Sequence, residues 1–219
     1  MNLSWRNTTK YDCVEFNKWS NAFNFEDKPQ RVKDGVKNIN KYLSADRYGG
    51  FGVLLRQFIN YQEFTNEDYF VKTAIDKKRI VGVTVVYKHE NKNVLECMII
   101  AVNPELHGKG YGTAMVFDIV KNHKKLFGLE EQCEITAFIN KENVASQTAF
   151  KKVGFVKNNK VFAKFEGLVP QNDQYTLKPK IIVRSKKVVD DIEKQKHEHN
   201  TNHIKNVISK SKHESEKQR

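Results

Sequence analysis

Residues 94–127 restrict the fold of this chain more than any other stretch. "VLECMIIAV" (94–102) is apolar almost throughout and nine residues long, which fits a strand in the middle of a sheet. Pro104 ends it. "HGKGYG" (107–112) then places three glycines in five positions. Val116, Ile119, Val120 and Phe127 follow at helical spacing, closed by Gly128. A buried strand joined through a glycine turn to an amphipathic helix predicts an α/β domain.

The flanking segments extend that reading. Val14, Phe16, Trp19, Phe23 and Phe25 approximate one helix over 11–25. Val32, Val36, Ile39, Tyr42 and Leu43 mark a second over 30–45, broken by "YGGFG" (48–52). Residues 53–64 fit helix or strand. "YFVKTAID" (69–76) and "RIVGVTVVYKHE" (79–90) read as a hairpin through Lys77 and Lys78. "CEITAFI" (133–139) reads as a strand and "ENVASQTAFKKV" (142–153) as a helix stopped by Gly154. "GFVKN" and "KVFAKFE" read as a last hairpin through Asn158 and Asn159. The expected fold is a mixed, mostly antiparallel sheet with flanking helices over 1–167. Residues 168–183, with Pro170 and Pro179, read as a linker. Residues 184–219 read as a basic tail, partly helical or disordered.

A glycine loop before a helix suggests phosphate binding, and the spacing separates the options. A Walker A loop needs Gly-Lys followed at once by Ser or Thr. Here Gly110 follows Lys109, and the hydroxyl of Thr113 is misplaced. A dinucleotide fingerprint needs a third glycine where Thr113 stands, and belongs after the first strand of its fold. The arrangement that fits is a cradle of backbone N–H groups around Gly108, Gly110 and Gly112 at a helix N-terminus, with no metal required. The alternative is a turn that only packs strand on helix.

The net charge of +12 favours anionic partners. It is diffuse, with 26 Lys/Arg against 19 Asp/Glu in 1–167 and 12 against 7 in 168–219, which speaks only weakly for nucleic acid. No run of 18 apolar residues suggests a membrane span, and the first residues lack the apolar core of a signal peptide. Cys13, Cys97 and Cys133 read as reduced thiols. A cytoplasmic protein without membrane contact is expected.

"VNPELHGKGYGTAM" (102–115) resembles the acetyl-CoA loop of the GNAT N-acetyltransferases, Gln/Arg-x-x-Gly-x-Gly/Ala, with the match on His107, Gly110 and Gly112. "NVASQTAFKKVGF" (143–155) resembles a second block of that family, and the order of elements agrees over about 69–166. The resemblance implies a strand that splays from its neighbour and takes the pantetheine arm on backbone groups of Ile100 and Val102. It implies a pyrophosphate cradle of N–H groups from 108–113 with the Lys109 ammonium adding charge, Ile100 N–H as the oxyanion donor, Asn143 beside the pantetheine, and residue 150 over the sulfur. Tyr111 lies in the same loop, as a lesser candidate acid. Glu96, the only acid on its strand and expected to be partly desolvated, corresponds to the general base of the histone-acetylating branch. The alternatives for Glu96 are solvent exposure or a pair with Lys88. Two departures stand out: Phe150 replaces a tyrosine that protonates the leaving thiolate in many members, and His107 replaces Gln or Arg.

The implied activity is transfer of an acetyl group from acetyl-CoA to a primary amine by direct attack in a ternary complex, without a metal. The acceptor and oligomeric state are open. The rival expectation is a non-catalytic acyl-CoA-sensing or nucleic-acid-binding module on the same fold. "KPKIIVRSKK" (178–187) carries five bases and no acid, which suits contact with RNA or the ribosome. His197, His199 and His203 are spaced for a metal, but a solvated polar helix accounts for them as well.

Overall fold

The structure is a computed structural model that describes residues 1–65, 69–89, 93–129, 133–158 and 172–177. Met1–Pro179 forms one compact unit. The residues expected to form a basic tail, with their histidines and the contact with RNA read from them, lie outside the described residues.

A strand β1 (Ser4–Asn7) opens the chain. Three helices follow: α1 (Asp12–Ser20), α2 (Gln30–Leu43) and α3 (Phe51–Thr65). Then come β2 (Tyr69–Asp76), β3 (Arg79–Lys88) and β4 (Val94–Val102). A short 3-10 turn at Pro104–Leu106 leads through the glycine loop into α4 (Tyr111–Phe127). The chain continues with β5 (Glu134–Asn140), α5 (Val144–Lys152), β6 (Val156–Asn158) and β7 (Asn172–Leu177). The sheet order is β1-β2-β3-β4-β5-β7-β6. Among the described strands, only the β4–β5 pair is parallel.

The sheet is buried on both faces at its centre, which explains the near-continuous apolar run of β4. One face packs Val71, Val83, Val85, Ile99 and Ala101 beneath Phe16, Trp19 and Phe51 of α1 and α3. The other packs Ala74, Val81 and Leu106 on Met115 of α4, with Ile100 and Val102 alongside. Cys13, Cys97 and Cys133 are buried and are not joined in disulfides. No helix among the described residues is long and apolar enough to cross a membrane, and none of these residues forms a metal-binding group.

Several expectations change. Residues 53–64 are helical, inside α3. The β2–β3 hairpin forms as expected, with Lys77 and Lys78 at φ 48° and 67°. β1 is absent from the sequence reading because four mostly polar residues carry no alternation. The domain does not end at 167, and 168–183 is not simply a linker: β7 lies inside it, between β5 and β6. Its first residues, Asn172, Asp173 and Gln174, hide the strand, although Tyr175 and Leu177 are fully buried. β6 pairs with β7; the "KVFAKFE" stretch, expected as its hairpin partner, lies outside the described residues.

Candidate active site

The site begins where two strands part. β4 and β5 pair only at Val94–Glu134, Leu95–Ile135 and Glu96–Thr136. Beyond that rung β5 keeps its pairing with β7, while β4 follows β3. β3 pairs Val85 with Ile99 but Val86 with Cys97, so Met98 is an extra residue on β4. Such a bulge bends the strand that carries it and increases its twist. Asn103 N–H donates to Val81 O (2.9 Å), which orients odd-numbered residues past the bulge toward β3. By two-residue alternation the backbone N–H groups of Ile100 and Val102 face the gap.

A cleft of about 380 Å³ fills that gap. Ile100 and Val102 line it from β4. The loop and first turn of α4 contribute His107, Gly108, Gly110, Tyr111, Gly112 and Thr113. Asn143 and Phe150 contribute from α5 and its cap. The cleft therefore gathers ten of the twelve residues singled out in the sequence. Lys109 and Glu96 are not among its lining residues.

The loop is shaped by backbone demands. Gly108 and Gly110 have φ of 75° and 84°, where L side chains are strained. A Cβ on Gly108 would meet nothing within 4 Å, and one on Gly110 only the Met1 side chain, at 3.8 Å, so space above both stays open. Lys109 N–H donates to Leu106 O (3.2 Å) and is held in the turn, which removes it from the expected cradle. The first turn of α4 presents N–H groups that have no acceptor within the helix. Tyr111 O–H donates to Asp76 Oδ2 (2.8 Å), and this bond raises its pKa above the ordinary tyrosine value. Its proton is thus directed at a carboxylate of β2. Asn143 caps α5, its Oδ1 accepting from Ser146 N–H (3.1 Å), so the Nδ2 amide is what it offers to the cleft. Phe150 is buried edge-on against Phe155, with centroids 4.8 Å apart, and has no proton to give.

The opposite wall is α2, none of whose residues the sequence reading singled out for the site. Gly35, Asn38, Ile39 and Tyr42 line the cleft from one helical face. A Cβ on Gly35 would lie 3.1 Å from both Pro104 Cα and His107 Cβ, so this glycine lets α2 approach the loop. His107 Nε2 lies 3.4 Å from Asn38 Nδ2. At the other end, Tyr42 O–H donates to Glu142 O (3.1 Å) and Lys41 pairs with the Glu142 carboxylate (2.7 Å). Only the spacing 35, 38/39, 42 could have flagged this face; the distance from residue 35 to 107 hides what it touches.

Glu96 sits at the last rung before the strands part, only 9% exposed. Its Oε2 lies 2.9 Å from His89 Nε2. The partner is a histidine at the end of β3, not Lys88.

A family model for the GNAT acetyltransferase domain matches residues 20–156, more than half of the chain. No curated protein matches it. Among solved structures, an aminoglycoside acetyltransferase AAC(6')-Ib in complex with coenzyme A superposes with TM-score 0.59 at 16% identity, covering 84% of this chain and 99% of its own. A spermidine N-acetyltransferase SpeG chimera from Vibrio cholerae and hSSAT gives 0.58 at 16% identity, covering 84% and 99%. The PaiA N-acetyltransferase of Thermoplasma acidophilum, in complex with coenzyme A, gives 0.50 at 16% identity, covering 81% and 99%. With the splayed strands, the glycine loop and the length of the family match taken together, the chain belongs to the GNAT acetyltransferases.

Proposed function

We propose that the chain moves an acetyl group from acetyl-CoA to a primary amine by direct attack, with both bound at once. The observation that carries this reading is the stretch of β4 that has parted from β5, where Ile100 and Val102 face a cleft that ends at the glycine loop. The residues fit the donor. Backbone N–H groups of Gly108 and residues 110–113, at the positive end of α4, suit a pyrophosphate. The open edge of β4 suits an amide-bearing arm, which it would pair as it would an added strand. Acetyl-CoA supplies an activated acyl thioester.

The chain supplies position and charge compensation. Ile100 N–H is fixed in advance and faces the gap, where an acyl oxygen gathers charge. An alkyl ammonium has a pKa of about 10.4, so a proton must leave before attack. Glu96 is the base in this reading. Four residues of strand, about 13 Å, separate it from Ile100, so the proton travels through water. Phe150 cannot return a proton to the thiolate. A thiol pKa of about 8.5 makes that group able to leave without one. The net charge of +12 disfavours polycationic acceptors such as those for which the spermidine and aminoglycoside enzymes are named.

The test is CoA release from acetyl-CoA with a panel of primary amines. Glu96→Gln is expected to lower kcat by about 10²-fold or more while leaving the KM for acetyl-CoA within about 2-fold. An unchanged kcat removes Glu96 from the role. Phe150 favours one second reading, an acyl-CoA-sensing module. Tight acetyl-CoA binding without turnover of any amine would establish it.

A further inference from the structure

We infer that His89 is a positioning residue: it holds the Glu96 carboxylate in one orientation so that its other oxygen faces the water that relays the acceptor's proton. This rests on the reading of Glu96 as the base. A base that works through water at a remove of several residues gains only if its own geometry is fixed, because a mobile carboxylate does not order the relay.

The structure supplies the holding contacts. His89 Nε2 and Glu96 Oε2 are 2.9 Å apart, with side-chain exposures of 19% and 12%. An ionised carboxylate only accepts, so the imidazole carries its proton on Nε2 in this pair. The backbone adds a second tie, His89 N–H donating to Val94 O (3.0 Å), two residues before Glu96. The imidazole is itself fixed. Tyr87 meets it edge-on with centroids 4.8 Å apart, and Tyr69 packs on Tyr87 at 4.7 Å. Phe58 and Tyr61 of α3 pack on Tyr69 at 5.7 and 6.3 Å. A row of rings running from α3 across β2 to the end of β3 thus backs the histidine that grips Glu96.

The pair stands at the rung where β4 and β5 separate. Glu96 opposes Tyr87 on one side and Thr136 on the other. The oxygen bound to His89 is drawn toward the end of β3, which leaves the second oxygen for the relay. His89 acts through Glu96 and is not placed at the reacting atoms.

Two measurements on the full chain decide the matter. The first needs no acceptor: long-range proton–nitrogen NMR of the histidine rings distinguishes the two neutral tautomers and the cation. In the native chain His89 is expected with Nε2 protonated; in Glu96→Ala the pattern shifts toward a tautomer mixture. An unshifted pattern overturns the inference. The second uses the fastest amine of the panel. His89→Leu is expected to lower kcat about 10-fold or more with the KM for acetyl-CoA unchanged, and His89→Gln, whose amide also donates, restores most of the loss. Adding His89→Leu to Glu96→Gln lowers kcat no further, and thermal melting checks that each variant is folded. If Glu96→Gln is impaired but His89→Leu is not, this inference alone falls. If Glu96→Gln is unimpaired, or no amine is turned over by the native chain, the reading of Glu96 falls and this inference with it.

Discussion

Gly110 and Gly112 stand two residues apart in one loop, yet the backbone asks different things of them. Gly110 has φ of 84°. An alanine there costs about 1–2 kcal/mol, which the loop relieves only by moving the N–H groups on either side. Gly112 lies in the first turn of α4 without a positive φ, and a Cβ there would sit 3.7 Å from Val102 Cγ2, an ordinary contact. Gly110→Ala is therefore expected to weaken coenzyme A binding about 10-fold by calorimetry, and Gly112→Ala to leave it within about 2-fold. Equal losses at both positions would show that side-chain volume, not backbone conformation, sets the loop. The same contrast explains what was legible in the sequence. The need for glycine is local, so the loop shows it directly. The fate of Lys109 N–H, Tyr111 O–H and Asn143 Oδ1 depends on partners that spacing does not reveal, and each is already bonded within the protein.

Elements with an unbroken pattern were readable, and those without one were not. β4, the glycine loop and α4 follow from one apolar run, one loop and one helical period. β1 is four residues with no alternation, yet it is tied to α1 by a bidentate pair: Arg6 Nη1 and Nη2 donate to Asp12 Oδ2 and Oδ1, both at 2.6 Å. That hydrogen bond, helped by Thr9 N–H and overcoming the cost of burial, holds the Asp12 carboxyl down at about 2, from an ordinary 3.8. A carboxylate with a depressed pKa stabilises the fold above its unfolded value and loses that contribution as pH falls from about 4 to about 2. The Arg6 side chain is 41% exposed, so solvent screening trims the effect to about 1–2 kcal/mol. Asp12→Asn is expected to lower Tm by about 3–6 °C at pH 7, with the gap to the native chain closing between pH 4 and pH 2. A gap that persists at pH 2 would mean that the loss lies in packing, not in the ion pair.

At the scale of the whole molecule, the reading stopped ten residues short. Pro170 and Pro179 mark 168–183 as a connection, but the sheet needs part of it. β7 pairs with β5 along Ile135–Asn140 and with β6 on its other edge. Tyr175 and Leu177 are fully buried, each worth about 1.5–3 kcal/mol on burial. Tyr175 O–H also donates to Gln147 Oε1 (3.0 Å), so β7 steadies α5, whose Phe150 lines the cleft. Losing this strand strips β5 of the partner that draws it away from β4, and removes two fully buried side chains, with the buried Thr176 between them, from a domain whose net stability is about 5–15 kcal/mol. A chain ending at residue 167 is therefore expected to lack a cooperative thermal transition and to fail to bind coenzyme A. One ending at residue 179, which keeps the compact unit Met1–Pro179, is expected to keep both. The discriminating measurement is calorimetric melting of the two truncations beside the full chain. If the shorter chain melts and binds as the full one does, β7 is dispensable and the site rests on β4, α4 and α2 alone.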